Sequence, residues 1–345
     1  MPLLFLLLSA CASEKNDPAD TGADLDTAED TDTPADTDTD TDTDADTDTD
    51  TDTDTDTAPL LDSVSVSWDP MDGKTLSLTT RQTVRFTVMA HYDDFSLVDV
   101  TAGATFTSSD EGVLKFYATG VGQPLGGGAT DIVVNPNLRD GETPLVLPVT
   151  VSVVPAGPGD LAINELLADP ATTADVNGDG AFDPVDDEFV EIANAADVTV
   201  DVSGVTLWDV DLLVPRHTFP DGTVLRAGEA LVVFGGGDPS ALSAPFASFF
   251  AASNADVGLR YGIAMNNEGD RCSLRAATGE EIGAAPYGDE GGADAIDDAS
   301  LVLAPEVFGA VYTHHRYATG SVGDQSPGTF ADGTAFPGPD GRYGP

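Results

Sequence analysis

From Asp36 to Thr57 the chain is an almost unbroken Thr-Asp repeat, and this tract decides where folding can occur. Residues 12–58 hold 17 Asp, 2 Glu, one Lys, a single Leu and no aromatic residue. Such a segment has almost nothing to bury and cannot offset the entropy of ordering. Successive Asp residues on an extended chain stand about 7 Å apart. That is inside the Debye length of about 8 Å at physiological salt, so their repulsion keeps the chain stretched. The tract of 47 residues after Cys11 reaches between roughly 40 Å as a coil and roughly 155 Å at full extension. It reads as a disordered tether, with a weak, non-specific cation sponge as the alternative. Any fold must be built from the residues that follow.

Ahead of the tether, the run from Met1 to Cys11 is apolar but too short to span a bilayer, which takes about 20 residues. It fits the apolar core of a secretion signal. The segment Leu8-Ser9-Ala10-Cys11 resembles the bacterial lipobox. That resemblance implies a signal peptide at residues 1–10, lipid on Cys11, and membrane attachment at the outer surface of the cell envelope. An ordinary signal peptide cut near Cys11 is the alternative. With lipid on Cys11, Cys272 has no partner in the chain. Its setting in Arg271-Cys272-Ser273-Leu274-Arg275 puts it on one face with Leu274, as a buried core thiol.

The net charge of −48 is shared by the tether and the rest of the chain. Nucleic acid is excluded as a partner, since binding it needs Lys and Arg to displace phosphate counterions. Soluble cations suit the field better.

After Pro59 the pattern changes to short alternating runs, such as Val64-Ser65-Val66-Ser67-Trp68 and Val149-Thr150-Val151-Ser152-Val153. Separated by Gly, Asp, Asn and Pro turns, these predict an all-β chain of two Ig-like antiparallel sandwiches. Residues 59–155 carry His91-Tyr92-Asp93-Asp94, then Asp99-Val100-Thr101, then Thr107-Ser108-Ser109-Asp110. This order resembles the bacterial Ig-like domains of group 2, which implies a spacer or adhesin module. Residues 157–336 carry Ile163-Asn164-Glu165, then Asp187-Glu188-Phe189-Val190-Glu191-Ile192-Ala193-Asn194. They continue with Val202-Ser203-Gly204-Val205, Gly228-Glu229-Ala230-Leu231-Val232-Val233 and Ser326-Pro327-Gly328-Thr329. This set resembles the lamin-tail domain of bacterial secreted proteins, which implies an interaction-type sandwich. Alternation puts Phe189, Glu191 and Ala193 on one face and Val190 and Ile192 on the other. Residues 240–253 read as a short helix or an apolar insertion, and residues 337–345 as a frayed tail.

The sharpest local motif runs from Asp175 to Asp186. It places the side-chain oxygens of Asp175, Asn177, Asp179, Asp183 and Asp186 at loop positions 1, 3, 5, 9 and 12. Gly180 stands at position 6, and the Ala181 carbonyl at position 7. Calcium needs such a set, with hard oxygen ligands converging around a sharp turn. Without flanking helices the motif resembles a dockerin-like calcium loop set into a sandwich. An acidic surface turn is the alternative. Elsewhere the chemistry is sparse. His314-His315 would point to opposite strand faces, and Gly235-Gly236-Gly237 lacks the Lys of a phosphate loop. Trp68 and Trp208 read as core anchors. The sequence therefore predicts a surface-anchored, calcium-stabilised binding or structural module, with an extracellular protein or polysaccharide as partner and no enzymatic activity. A secreted metal-dependent hydrolase, or an accessory domain of one, is the alternative.

Overall fold

The computed structural model describes residues 58–69, 76–139, 141, 143–210, 214–254, 262–294 and 297–341. Cys11 and residues 12–57 of the tether lie outside the described residues. The described chain is all-β, and its only helical turns are three short 3-10 segments.

The first part builds β1 (Leu61–Asp69), β2 (Leu76–Thr79), β3 (Val84–Tyr92), β4 (Leu97–Asp99), β5 (Thr105–Ser108), β6 (Leu114–Ala118), β7 (Val121–Pro124), β8 (Gly128–Asn135) and β9 (Leu145–Ser152). One sheet runs β1-β3-β7-β6, with β4 also paired to β3; the other runs β2-β9-β8-β5. Period-2 alternation sets which side chains enter the core. In β9, Leu147, Val149 and Val151 are buried while the residues between them are exposed. These meet Val84, Phe86 and Val88 of β3, with Trp68 at the edge of the same cluster. Trp68 is the core anchor that its alternating run predicts.

The second part contains β10 (Val154–Pro155), β11 (Leu161–Leu167), β12 (Phe189–Asn194), β13 (Val200–Asp201), β14 (Thr206–Asp209), β15 (His217–Thr218) and β16 (Val224–Leu225). It continues with β17 (Ala230–Phe234), β18 (Ala247–Ala251), β19 (Gly269–Arg275), β20 (Glu281–Gly288), β21 (Leu301–Ala304) and β22 (Val311–His314). A six-stranded sheet, β18-β17-β12-β11-β21-β22, faces a four-stranded sheet, β15-β14-β19-β20. Between them lie Ile163, Leu166, Val190, Ile192, Leu231 and Val233 from one side, and Leu207, Cys272, Leu274 and Tyr287 from the other. Cys272 is a free, buried thiol.

Three expectations change. The sheets are not purely antiparallel, because β2/β9, β10/β13 and β17/β18 pair in parallel. Residues 240–253 form a 3-10 turn, Pro239–Ala241, and the parallel edge strand β18. Trp208 is only half-buried: its indole N–H donates to Thr206 Oγ1 at 2.7 Å and the Arg275 guanidinium sits 4.4 Å from the ring. It is a platform for a cation, not a core anchor.

Candidate metal loop and a buried carboxylate network

The Asp175–Asp186 loop joins β11 to β12. Its turns are written by side chains that accept from nearby backbone N–H groups. Asp175 Oδ2 accepts from Gly180 N at 2.9 Å, Asn177 Oδ1 from Asp179 N at 3.0 Å, and Asp179 Oδ1 from Ala181 N at 2.9 Å. Asp183 Oδ1 accepts from Val185 N at 2.9 Å and Asp186 N at 3.1 Å. Gly180 has φ +97°, the left-handed backbone that glycine adopts readily and that a sharp turn at that position needs. Asp175, Asp179 and Ala181 are exposed, Asp183 and Asp186 half-buried, and Asn177 buried.

Asp179, Asp183 and Asp187 lie close enough to Asp186 to repel it. Burial first, then those three charges, hold the Asp186 carboxyl above its ordinary range. Asp175 is not among the groups acting on Asp186. Among the described residues, no group of three or more His, Cys, Asp or Glu converges tightly enough to hold a metal ion. The carboxylates here are instead turned onto backbone N–H groups.

The residue that organises this loop is Asp187, one position past the motif. It is fully buried, and its Oδ1 accepts from Val176 N at 2.7 Å and Asn177 N at 2.9 Å. Its Oδ2 accepts from Asp183 N at 2.9 Å. In sequence Asp187 opens the Asp187–Asn194 motif that resembles the lamin-tail domain, but spacing does not mark it as the organiser of the loop. Gly235-Gly236-Gly237 is the floor of the loop. A Cβ on Gly236 would fall 2.1 Å from Asp186 Oδ1, and one on Gly237 would fall 2.2 Å from Asn177 Nδ2. Close approach, not phosphate binding, accounts for the glycines.

A second polar cluster lies on the outer face of the six-stranded sheet. Glu165 and Glu191 are directly paired across β11 and β12, and both are fully buried. A β-bulge between Ile163 and Glu165 re-aims the chain there. Ile163 and Leu166 remain in the core, while Asn164 and Glu165 both join the outer cluster. The C-terminal segment covers this face. Glu165 accepts from Ser326 N at 2.8 Å, Ser326 Oγ at 2.6 Å and Ser300 Oγ at 2.5 Å. Glu191 accepts from Asn164 Nδ2 at 2.9 Å and Gly328 N at 2.7 Å. Glu306 accepts from Ala331 N at 3.1 Å, and Asn164 Oδ1 from Val307 N at 2.7 Å.

Burial dominates the acidity of this cluster. It pushes Glu165 up to about 7, and it holds Glu191 well above the carboxylate range, helped by repulsion from Glu165 and Glu306. Strand alternation assigns Glu191 to the face of Phe189 and Ala193, which is correct, yet both faces of β12 are buried. His315 has left the strand for a 3-10 turn and is fully buried. Its Nε2 lies 3.1 Å from Ser326 Oγ and its Nδ1 lies 2.9 Å from Ser321 Oγ. A Ser–His pair of this kind resembles the start of a nucleophilic relay. Here the carboxylate contacts the serine rather than orienting the histidine, and the serine is itself buried.

Glu165 and Glu191 lie in the Ile163-Asn164-Glu165 and Asp187–Asn194 motifs, and the Ser326-Pro327-Gly328 motif donates to both. Residues 155–289 match the Lamin Tail Domain family. The matched lamin-tail segment spans β10 to β20, whereas the sheet it starts continues through β21 and β22. Similar solved structures include domains 5-6 of the S-layer protein SbsC, at 12% identity and TM-score 0.22 over 69% of this chain and 99% of that one. Domains 4-9 of the same protein match at 12% and 0.22, over 66% of this chain and 31% of that one. A DUF4876 family protein from Bacteroides thetaiotaomicron VPI-5482 matches at 11% and 0.23, over 56% and 53%. At those scores the likenesses assign neither detailed fold nor function to the lamin-tail segment. No curated protein matches the chain.

Proposed function

We propose that the chain is a structural and binding module displayed on the cell surface, and not an enzyme. Lipid on Cys11 holds it to the membrane, the Thr-Asp tether lifts it away, and the first sandwich acts as an Ig-like spacer for the lamin-tail segment. The observation that carries this reading is the use made of the buried polar groups. Glu165 and Glu191 spend their acceptors on joining distant chain segments, and Asp187 spends its own on closing its loop. Such groups specify a shape. Calcium on the Asp175–Asp186 loop is part of the proposal. Asp175, Asn177, Asp179, Asp183, Asp186 and the Ala181 carbonyl would supply the hard oxygens such an ion takes, and it would relieve the repulsion felt by Asp186. The outward partner is an extracellular protein or polysaccharide.

Anchoring is the direct test. Full-length protein should partition into detergent and be open to protease added to intact cells, and Cys11→Ser should abolish the partitioning. Mass spectrometry finding mature protein with an unmodified Cys11 would overturn it.

A further inference from the structure

We propose that Glu165, Glu191 and Glu306 form a proton-operated clamp. It holds residues 324–331 against the six-stranded sheet while it carries a proton, and it loosens them when that proton leaves at mildly alkaline pH.

The geometry comes first. Three carboxyl groups from three different elements face one another beneath the C-terminal segment. Glu165 comes from β11, Glu191 from β12, and Glu306 from the loop after β21. The backbone N–H groups of Ser326, Gly328 and Ala331 each donate to one of the three. The segment is therefore fastened at three points within six residues. No Lys or Arg reaches Glu165, Glu191 or Glu306 by an ion pair among the described residues. Among the described residues no ion pair offsets a second or third negative charge.

The other titratable groups around the clamp are few. Asp332 repels Glu306, which burial already holds above its ordinary range. His315 reaches the clamp through the Ser326 hydroxyl, and Asp324 lies beyond it, paired with Arg316 at 2.6 Å. The Asp324 carbonyl accepts from Ser300 N at 2.9 Å.

A consistent set of protons exists for the closed state. Protonating Glu165 reverses its 2.6 Å bond with Ser326, so that Oε2–H donates to the hydroxyl that otherwise donates to it. Ser326 Oγ then donates to His315 Nε2 at 3.1 Å, and His315 Nδ1–H donates to Ser321 Oγ at 2.9 Å. In this arrangement the histidine is neutral and each hydrogen has a taker. Ionising Glu165 turns the Ser326 hydroxyl back onto the carboxylate, breaks the link to His315 and leaves like charges facing each other in a dry site.

The sign follows from linkage. Glu165 is raised from 4.5 to about 7 in the folded chain, so its stabilising contribution is complete below the unfolded value and is lost as pH rises through about 7. His315 is shifted the opposite way, lowered by burial. Its contribution is complete above its unfolded value of 6.5 and is lost as pH falls through the lowered one. Below 6.5 the two trends oppose each other, and above it the remaining change is the loss from Glu165 alone.

Hydrogen exchange on the full-length chain tests this, expressed as protection relative to the intrinsic rate at each pH. Amides of Ser326, Gly328 and Ala331 should lose at least tenfold protection between pH 5.5 and 8.5, while those of Val84–Tyr92 stay constant. Glu165→Gln keeps an acceptor but no titration, and should flatten the profile. Constant protection in the native chain overturns the clamp, and so does a loss that survives in both Glu165→Gln and Glu191→Gln. Carboxyl-carbon NMR of the unmutated protein supplies a readout independent of any variant's folding. At least one glutamate should titrate near neutrality, and every glutamate titrating below pH 5.5 overturns the proposal.

Discussion

At Asp187 and Asp175, two aspartates twelve residues apart on one loop have opposite jobs. Asp187 is fully buried and holds three backbone N–H groups. Asp187→Ala should cost about 3 kcal/mol or more in denaturant unfolding, since each buried donor left unpaired costs about 1–3 kcal/mol. That loss should be the same with calcium or with chelator. Asp175 is exposed and holds one. Asp175→Ala and Asp179→Ala should leave the apo protein nearly as stable, yet remove the rise in melting temperature expected of the native chain in millimolar calcium. At ten times Kd that rise corresponds to only about 1.4 kcal/mol. A native melting curve unmoved by calcium would reduce the loop to an acidic turn. Sequence spacing exposes Asp175, Asp179 and Asp183 because an oxygen at alternate loop positions is a rare pattern. It does not expose Asp187, whose neighbours Asp186 and Glu188 look the same. The distinction is burial, which depends on Gly235, Gly236 and Gly237 arriving from β17.

Alternation makes some strands legible and hides others. In β3 and β9 one face is wholly apolar and the other mixed, so the pattern declares both the strand and its core side. In β18 the two phenylalanines are adjacent and fall on opposite faces, so period-2 carries no signal. The same failure conceals the clamp, because a glutamate alternating with valine and isoleucine reads as a solvent-facing position. Only the bulge in β11 and the segment around Ser326, both non-local, turn that face inward. The contacts between the two parts can be ranked by the same test of burial. Thr80 is 1% exposed, and its hydroxyl donates to Thr199 O at 2.8 Å. Arg81 meets Asp160 at 2.5 Å with 45% of the arginine side chain exposed. Thr80→Val should destabilise by about 1–3 kcal/mol and Arg81→Ala by less than about 1 kcal/mol. Chemical denaturation of the two variants checks the ranking, and equal losses would refute it.

Across the whole molecule, the acidic tether and the sheets answer to different physics. The sheets are held by apolar clusters in each half, and the tether has almost nothing to bury. Deleting residues 12–57 should therefore leave the melting temperature within about 2 °C, a change of at most about 1 kcal/mol for a chain of this size. A larger fall in scanning calorimetry would mean that the tether docks on the sandwiches. The halves themselves are joined far more closely. Only Val153 separates β9 from β10. Thr199 Oγ1 donates to the Leu125 carbonyl, and Lys115 reaches Asp340 at 2.5 Å. A single residue leaves no slack for a swivel. Torque applied to one sandwich passes directly to the other, so the pair works as one lever.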